Sequence, residues 1–320
     1  MNKKILITGM AGFVGSHLAE LCLSRGDDVF GTIFPGESLK NLSGIREKIE
    51  VFECDLTQKE VVLKTIKDIQ PDVIFHLAGQ SFPSISFQMP EKTLSTNISI
   101  ALNIFEAVRE LKINPVIQVA CSSDEYGLIK EDELPVKETN PLRPVSPYAV
   151  SKIAVDMLAF QYHQSYQMKI VITRAFNHTG PRANVQTVAP RFAQQIALIE
   201  AKKQEPIIKV GNLEAFRDFS DVRDVVKAYY LAVERCEYGT PYNIGSGESY
   251  QIKEILDTLL SFSSVKVKVE QDPSLMRPEK TAKIVCDFSK FNLATGWKPA
   301  IKMEQTLKDL LNYYRNEISS

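Results

Sequence analysis

The sequence has few cysteines, and none are arranged for pairing. Cys22, Cys54, Cys121, Cys236 and Cys286 are scattered, odd in number and never in a CxxC pair. That argues against a disulfide framework or a zinc site and fits a reducing cytosol. No metal is expected. Long hydrophobic runs are also missing: no window approaches the roughly 18 apolar residues of a membrane span. The apolar stretch in MNKKILITG is too short for a signal peptide, and Gly9 interrupts it. A cytoplasmic location without membrane contact is therefore expected. Nor is there an excess of one charge. With 38 Lys and Arg against 39 Asp and Glu, the formal net charge is −1, which leaves no footprint for nucleic acid or anionic lipid. No internal repeat and no low-complexity tract is visible. What is present is an ordinary soluble composition, 44% apolar and 24% charged, in a chain long enough for one large domain or two intimate ones.

The first half alternates apolar runs with helical periodicity. Strand-like runs lie at 3–8, 27–34, 49–54, 72–79, 115–121 and 168–176. Helical patterns lie at 12–26, 57–69, 91–111 and from about Pro147. This rhythm predicts an α/β fold, a Rossmann-type doubly wound parallel sheet with both faces covered. After residue 176, Pro181, Pro190, Pro206 and Gly211 punctuate more often, which predicts a smaller, mostly C-terminal α/β substrate lobe. The segment 221–246 reads as a helix and then a strand, PYNIG, that returns to the sheet. The expected division is 1–176 plus about 219–246 for the dinucleotide half, and 177–218 plus 247–320 for the lobe.

TGMAGFVG (8–15) follows the first strand and opens the first helix. Its spacing is GxxGxxG. Gly9 would allow the tight turn, Gly12 the approach of a pyrophosphate to the helix N-terminus, and Gly15 close helix–sheet packing. A ligand-free turn-and-cap cluster is the plain alternative, and placement directly after the first strand favours a cofactor. At the end of the second strand NAD typically needs an acid and NADP an arginine. Gly31-Thr32-Ile33-Phe34 supplies neither. Lys40 could reach a 2′-phosphate or simply be solvated, so NAD and NADP both stay open. Asp55 in CDLT is a candidate adenine contact, a helix N-cap for 57–69, or both.

QVACSSDEYGLI (118–129) is an apolar strand that ends in hydroxyls and carboxylates. In open parallel sheets ligands sit at that edge. SPYAVSK (146–152) then sets Tyr148 and Lys152 at i, i+4 on one helix face. An unperturbed tyrosine titrates near pH 10, and a neighbouring ammonium pulls that value down. Such a tyrosine can exchange a proton with a sugar oxygen near neutrality. Ser122, Tyr148 and Lys152 can thus converge over the nicotinamide end of a cofactor.

In TGMAGFVG, CDLT, HLAG, STN, CSSDEYG and SPYAVSK, taken in this order, the chain resembles the extended short-chain dehydrogenases/reductases over essentially its whole length. The resemblance implies that Tyr148 is the acid/base, that Lys152 binds the nicotinamide ribose and tunes Tyr148, and that Ser122 holds the reacting oxygen. It places Gly9, Gly12, Phe13, Val14, Gly15, Thr32, Asp55, Leu56, His76, Leu77, Ala78, Gly79 and Asn97 about the cofactor. RAFNHTGPR, KVGNLEAFRDFSDVRDVV and LMRPEK are similar to the GDP-sugar branch of that family. By that likeness Asn177, Arg217 and Arg277 hold the diphosphate, with Gln80, Ser84, Ser123, Arg182, Arg191 and Asn212 about the sugar nucleotide. Arginine suits phosphate through its planar, permanently charged fork. A surface ion pair is the plain alternative, open for Arg217 beside Asp218 and Glu214, and a turn role is the plain alternative for Asn212.

The branch holds 4,6-dehydratases and 4-keto-6-deoxy-sugar reductases. Dehydratases typically carry Thr-Ser-Glu or Thr-Asp-Glu where this chain reads Ser122-Ser123-Asp124. Losing a methylene moves a carboxylate by roughly an ångström, a costly misplacement. The reading therefore leans to reduction of the C4 keto group of a GDP-4-keto-6-deoxy sugar, giving a GDP-rhamnose-type product. Asp124 keeps dehydration open; otherwise it is a solvated loop acid and Glu125 a loop hydrogen-bond partner. Another nucleotide-sugar 4,6-dehydratase or epimerase is a further alternative, and a non-catalytic dinucleotide-binding regulator is the last. The resemblance also implies a homodimer through helices 91–111 and 147–167. His163 and His178 lack ligand spacing, and His178 is expected to pack or bond within its loop.

Overall fold

Ile5 and Ile7 point to one side of the first strand and Leu6 to the other, and all three are buried. Alternation of this kind, with no polar side, requires both faces of the sheet to be covered. The computed structural model describes residues 2–275 and 283–319. The chain begins β1 (Lys4–Thr8), α1 (Phe13–Ser24), β2 (Asp28–Ile33), β3 (Glu50–Glu53), α2 (Lys59–Ile69) and β4 (Val73–His76). It continues α3 (Pro83–Gln88), α4 (Pro90–Glu110), β5 (Val116–Ser122), α5 (Pro147–Tyr166), β6 (Lys169–Ala175) and β7 (Asn177–Thr179). Then come α6 (Val188–Glu200), β8 (Ile207–Val210), β9 (Phe216–Asp221), α7 (Val222–Arg235), β10 (Pro241–Ile244) and β11 (Ser249–Gln251). The last elements are α8 (Ile252–Ser261), β12 (Lys268–Gln271), α9 (Ser289–Thr295) and α10 (Met303–Ser319).

Seven parallel strands form the main sheet in the order β10-β6-β5-β4-β1-β2-β3. On one face Ile5, Ile7, Val29 and Phe75 pack against Leu18 of α1 and Val225 and Tyr229 of α7. On the other, Leu6, Ile74 and Ile117 meet Val62 of α2, Phe105 of α4 and Val155 of α5. The fold is thus the Rossmann-type α/β sandwich that the strand–helix rhythm predicts. PYNIG returns to the sheet: β10 lies parallel to β6, with Pro241 opposite Ile172 and Ile244 opposite Ala175. The remaining strands form two small sheets, β11-β9-β7 and β12-β8. Around them α6, α8 and α10 enclose a separate core of Phe192, Ile196, Leu256, Leu307 and Leu310.

Strand order reverses between β4 and β1, and parallel sheets of this type bind ligands at the carboxyl end of such a point. One boundary departs from the periodicity. The helix expected over 57–69 starts at Lys59, with Gln58 and not Asp55 at its N-cap. Asp55 instead closes a local turn, accepting from the backbone N–H of Thr57 at 3.0 Å and its hydroxyl at 2.7 Å.

Candidate active site

A cavity of about 2000 Å³ opens over the switch point, walled by both the glycine loop and the smaller lobe. Gly9 has φ +69°, and its carbonyl accepts from Gly12 N at 3.1 Å. A Cβ on Gly15 would lie 2.4 Å from the Gly9 oxygen, so α1 sits too close to the loop for any side chain. No side chain caps the start of α1, and its first turn holds no acid. Gly12, Phe13, Val14 and Gly15 border the cavity there. A helix N-terminus so arranged suits a diphosphate. Asp55, Leu56, Leu77, Ala78 and Gly79 continue the wall, as does Thr32, whose buried hydroxyl has no partner. These residues fit a dinucleotide.

Three residues expected at the cofactor or sugar lie behind the wall. His76 is buried with Nδ1 3.0 Å from the Thr8 hydroxyl, and that hydroxyl accepts from Leu77 N and Ala78 N. Burial first, and then the Lys152 charge, hold its imidazole neutral, down to about 3. Asn97 is buried too. Its amide accepts from Gln80 N at 2.8 Å and donates to Gln80 O and to the Ser151 hydroxyl. Gln80 itself is bound to Phe82 and Thr93. Both side chains brace the loop after β4 and neither reaches the cavity.

Ser122, Ser123, Asp124, Tyr148 and Lys152 come together on the wall at the carboxyl end of β5. Ser146 caps α5 by accepting from Ala149 N at 3.1 Å, with Pro147 next, which fixes Tyr148 and Lys152 in its first two turns. Ser122 starts a capping box of its own: its hydroxyl accepts from Asp124 N at 3.1 Å, and Glu125 accepts from Ser122 N at 3.0 Å.

The expectation for Tyr148 needs correction. Its phenol is pushed up, by burial first and by the Asp124 carboxylate next, while a hydrogen bond with Ser122 pulls it down. The Lys152 ammonium donates to the Ala120 carbonyl at 2.8 Å and stands 5.9 Å from the Tyr148 ring centroid. Burial also pulls the lysine down. Tyr148 therefore carries its proton in this site and is placed to donate it to an oxyanion.

Beneath Ser122 lies a charge cluster. Glu125 is fully buried, 3.4 Å from Arg174 Nε, which donates to Asp156 at 2.9 Å. Two acids share one guanidinium. Burial, then the Asp156 charge, push Glu125 up to about 8. Cys121, Glu125 and Asp156 put ligand-type atoms within 4.8 Å of one another, but Arg174 already supplies the cation there.

At the lobe end Ser84, Asn177, Arg191, Asn212 and Arg217 line the cavity. Arg182 lines it as well, but its guanidinium is bound to both Glu20 oxygens at 2.9 and 2.7 Å, to His17 and to the Asn41 carbonyl. It is a tie between α1 and the lobe, not a hand extended to substrate. Arg277 lies outside the described residues. His178 bonds the Phe176 carbonyl through Nδ1 and stacks on Phe13, with ring centroids 6.0 Å apart. His163 bonds the Met168 carbonyl.

Sequence reasoning missed several wall residues. Lys92 is a cation that no motif marked, and Lys209, which opens KVGNLEAF, was given no role. Lys40, the candidate for a 2′-phosphate, is instead ion-paired with Glu317 and is not on the wall. Glu37 takes that corner. Its N–H closes a turn onto Phe34 O at 2.9 Å, and its carboxylate accepts from Phe34 N at 3.1 Å. Pro35-Gly36, with Gly36 at φ +78°, was the available signal for a turn that folds residue 37 back onto the end of β2.

The sheet, the glycine loop and the Ser-Tyr-Lys group define a dinucleotide-dependent oxidoreductase of the extended short-chain dehydrogenase/reductase class. The chain belongs to the family described as GDP-mannose 4,6 dehydratase, whose model matches residues 6–310. It is 30% identical over 318 residues to the GDP-6-deoxy-D-mannose reductase of Pseudomonas aeruginosa, covering 99% of each chain. It is 29% identical to a GDP-mannose 4,6-dehydratase of Vibrio cholerae, covering 97% of this chain and 93% of that one. Among solved structures, RMD from Pseudomonas aeruginosa complexed with NADPH superposes with a TM-score of 0.85 at 29% identity, covering 99% of this chain and 100% of that one. The UDP-glucose 4-epimerase of Thermus thermophilus in complex with NAD gives 0.86 at 28% identity, covering 98% and 99%.

Proposed function

We propose that this chain reduces the C4 keto group of a GDP-4-keto-6-deoxy sugar, forming a GDP-6-deoxyhexose. The observation that carries the reading is the meeting of Ser122, Tyr148 and Lys152 on the cavity wall at the carboxyl end of β5. Bound at Gly12, Gly15, Asp55 and Ala78, a reduced nicotinamide dinucleotide would supply the hydride. Tyr148 gives its proton to the developing C4 alkoxide, and the Ser122 hydroxyl holds that oxygen. Lys152 adds a positive charge at the same end. Arg191 and Arg217 offer guanidinium groups to the diphosphate.

Dehydration is the competing reading, and Asp124, a carboxylate on the wall beside Tyr148, is the observation that favours it. A homodimer is proposed through α4 and α5. Leu102, Val150, Met157 and Phe160 are exposed on these two packed helices, with Phe160 46% exposed. A cytoplasmic location accords with five free, buried cysteines.

The test supplies GDP-mannose alone, and separately GDP-4-keto-6-deoxy-mannose with NADH or NADPH, followed by mass spectrometry and reduced-nicotinamide absorbance. A two-hydrogen mass gain on the keto sugar with cofactor consumption is expected. Loss of water from GDP-mannose without net cofactor change would establish the dehydratase instead. Tyr148→Phe should nearly abolish turnover while leaving nucleotide binding; retained turnover sinks the assignment.

A further inference from the structure

The cavity corner at the end of β2 carries a negative charge and no free positive one. Six described residues form it: Thr32, Ile33, Phe34, Glu37, Ser38 and Asn41. None is a lysine or arginine. Glu37 is held in place twice, by its own N–H on the Phe34 carbonyl and by its carboxylate on the Phe34 N–H. The turn thus fixes an anion where a dinucleotide's adenosine ribose lies in this class of fold. The Thr32 hydroxyl, buried and without a partner, adds an unused polar atom to the same strand end.

The two cations nearest in sequence or bonding are committed elsewhere. Lys40 is paired with Glu317 of α10. Arg182 reaches the corner through the Asn41 carbonyl, but both Glu20 oxygens neutralise it. Asn41 is itself tied to the Ala11 carbonyl at 2.9 Å, so the corner is braced from both sides. A ribose 2′-hydroxyl can donate to a carboxylate. A 2′-phosphate brings close to two negative charges and only acceptor oxygens.

We propose that Glu37 sets the cofactor preference and that this site takes NADH over NADPH. This deepens the reductase reading through its cofactor, and it separates the chain from the relative solved with NADPH. Nothing in it depends on which sugar is reduced.

The test is direct binding of NADH and NADPH to the full chain by nicotinamide fluorescence, with no sugar present. Wild type is expected to bind NADH at least about tenfold more tightly, with a ratio that shrinks as salt screens the repulsion. Glu37→Gln should close most of that ratio, chiefly by tightening NADPH. Lys40→Gln should leave the ratio unchanged. Equal or tighter NADPH binding by wild type overturns the proposal, as does an unchanged ratio in Glu37→Gln. Binding of neither dinucleotide overturns it together with the dinucleotide site. An NADH preference without turnover of any GDP-sugar would sink the reductase reading and leave this one standing.

Discussion

Replacing Asp218 should unfasten the smaller lobe from the main sheet. This β9 carboxylate is fully buried and accepts from Ser246 N at 2.7 Å, the Ser246 hydroxyl at 2.8 Å, Gly247 N at 2.9 Å and Cys286 N at 3.0 Å. Those donors follow β10 of the main sheet and precede α9, so one side chain joins three distant segments. Burial pushes the carboxyl up, and the bonds from Cys286, Ser246 and Gly247 pull it back. Asp218→Ala leaves three backbone N–H groups without an acceptor. Each buried one costs about 1–3 kcal/mol. Ser246 and Gly247 are half-buried and can recruit water, whereas Cys286 cannot. A loss of about 3–4 kcal/mol follows, a large part of the roughly 5–15 kcal/mol that holds a typical protein folded. Asp218→Asn keeps one oxygen for Ser246 but turns an NH₂ toward Gly247 and Cys286, so it should fall between alanine and wild type. Urea unfolding measures both through the midpoint at constant m. Because Arg217 lies on the cavity wall one residue away, KM for the nucleotide sugar should rise more than kcat falls. An alanine variant within about 1 kcal/mol of wild type would refute the reasoning, since that is the cost of a single exposed hydrogen bond.

Three further perturbations test other parts of the molecule. Gly15→Ala sits in a helix, where alanine normally gains about 1 kcal/mol over glycine, yet its Cβ would meet the Gly9 oxygen at 2.4 Å. Dinucleotide affinity should drop at least about tenfold with the far-ultraviolet circular dichroism unchanged; unaltered affinity would mean the loop is not the phosphate cradle. Glu125 is raised from 4.5 to about 8, so between those values the folded chain binds a proton that the unfolded chain has lost, and stability falls as pH rises. Glu125→Gln should flatten the decline of Tm between pH 5 and 8, and an equal slope in both proteins would reject the shared-guanidinium account. Phe160→Glu on the exposed face of α5 should yield monomers in analytical ultracentrifugation, and an unchanged sedimentation coefficient would place any self-association elsewhere.

The main sheet was legible because parallel strands covered on both faces are near-continuous apolar runs, and residues 5–7, 73–75 and 170–172 are such runs. The glycine loop and the Ser122, Tyr148 and Lys152 group were legible because the loop and Ser122 directly follow strands and Tyr148 starts the next long helix, and because these motifs occur in the order of a known family; their spacing alone is a weak signal. What was hidden depended on partners far along the chain. Lys40 and Glu317 are 277 residues apart, and Arg182 and Glu20 are 162 apart. No local pattern tells a free arginine from one already paired. The Ser-x-x-Glu box at 122–125 is a sequence signature, but the burial of Glu125 follows from Arg174 and Asp156 on two other elements. Tyr148 shows the same limit. The i, i+4 lysine was visible; the Ala120 carbonyl that takes its ammonium was not.

The return of β10 to the main sheet governs how this protein comes off the ribosome. When residue 176 emerges, β6 has β5 on one side only, and its other edge, seven residues of buried-type strand, is still open. Edges of that kind recruit other chains. The covering strand arrives only with Pro241–Ile244, after α7 has brought Val225 and Tyr229 to the face of the sheet. Of the chain between, residues 177–221 run out into the smaller lobe, and α7 returns to the face of the sheet before β10 closes its edge. A gene fragment stopping at 176 would therefore yield aggregate, not a portable cofactor module, and the shortest soluble piece would have to run through Ile244.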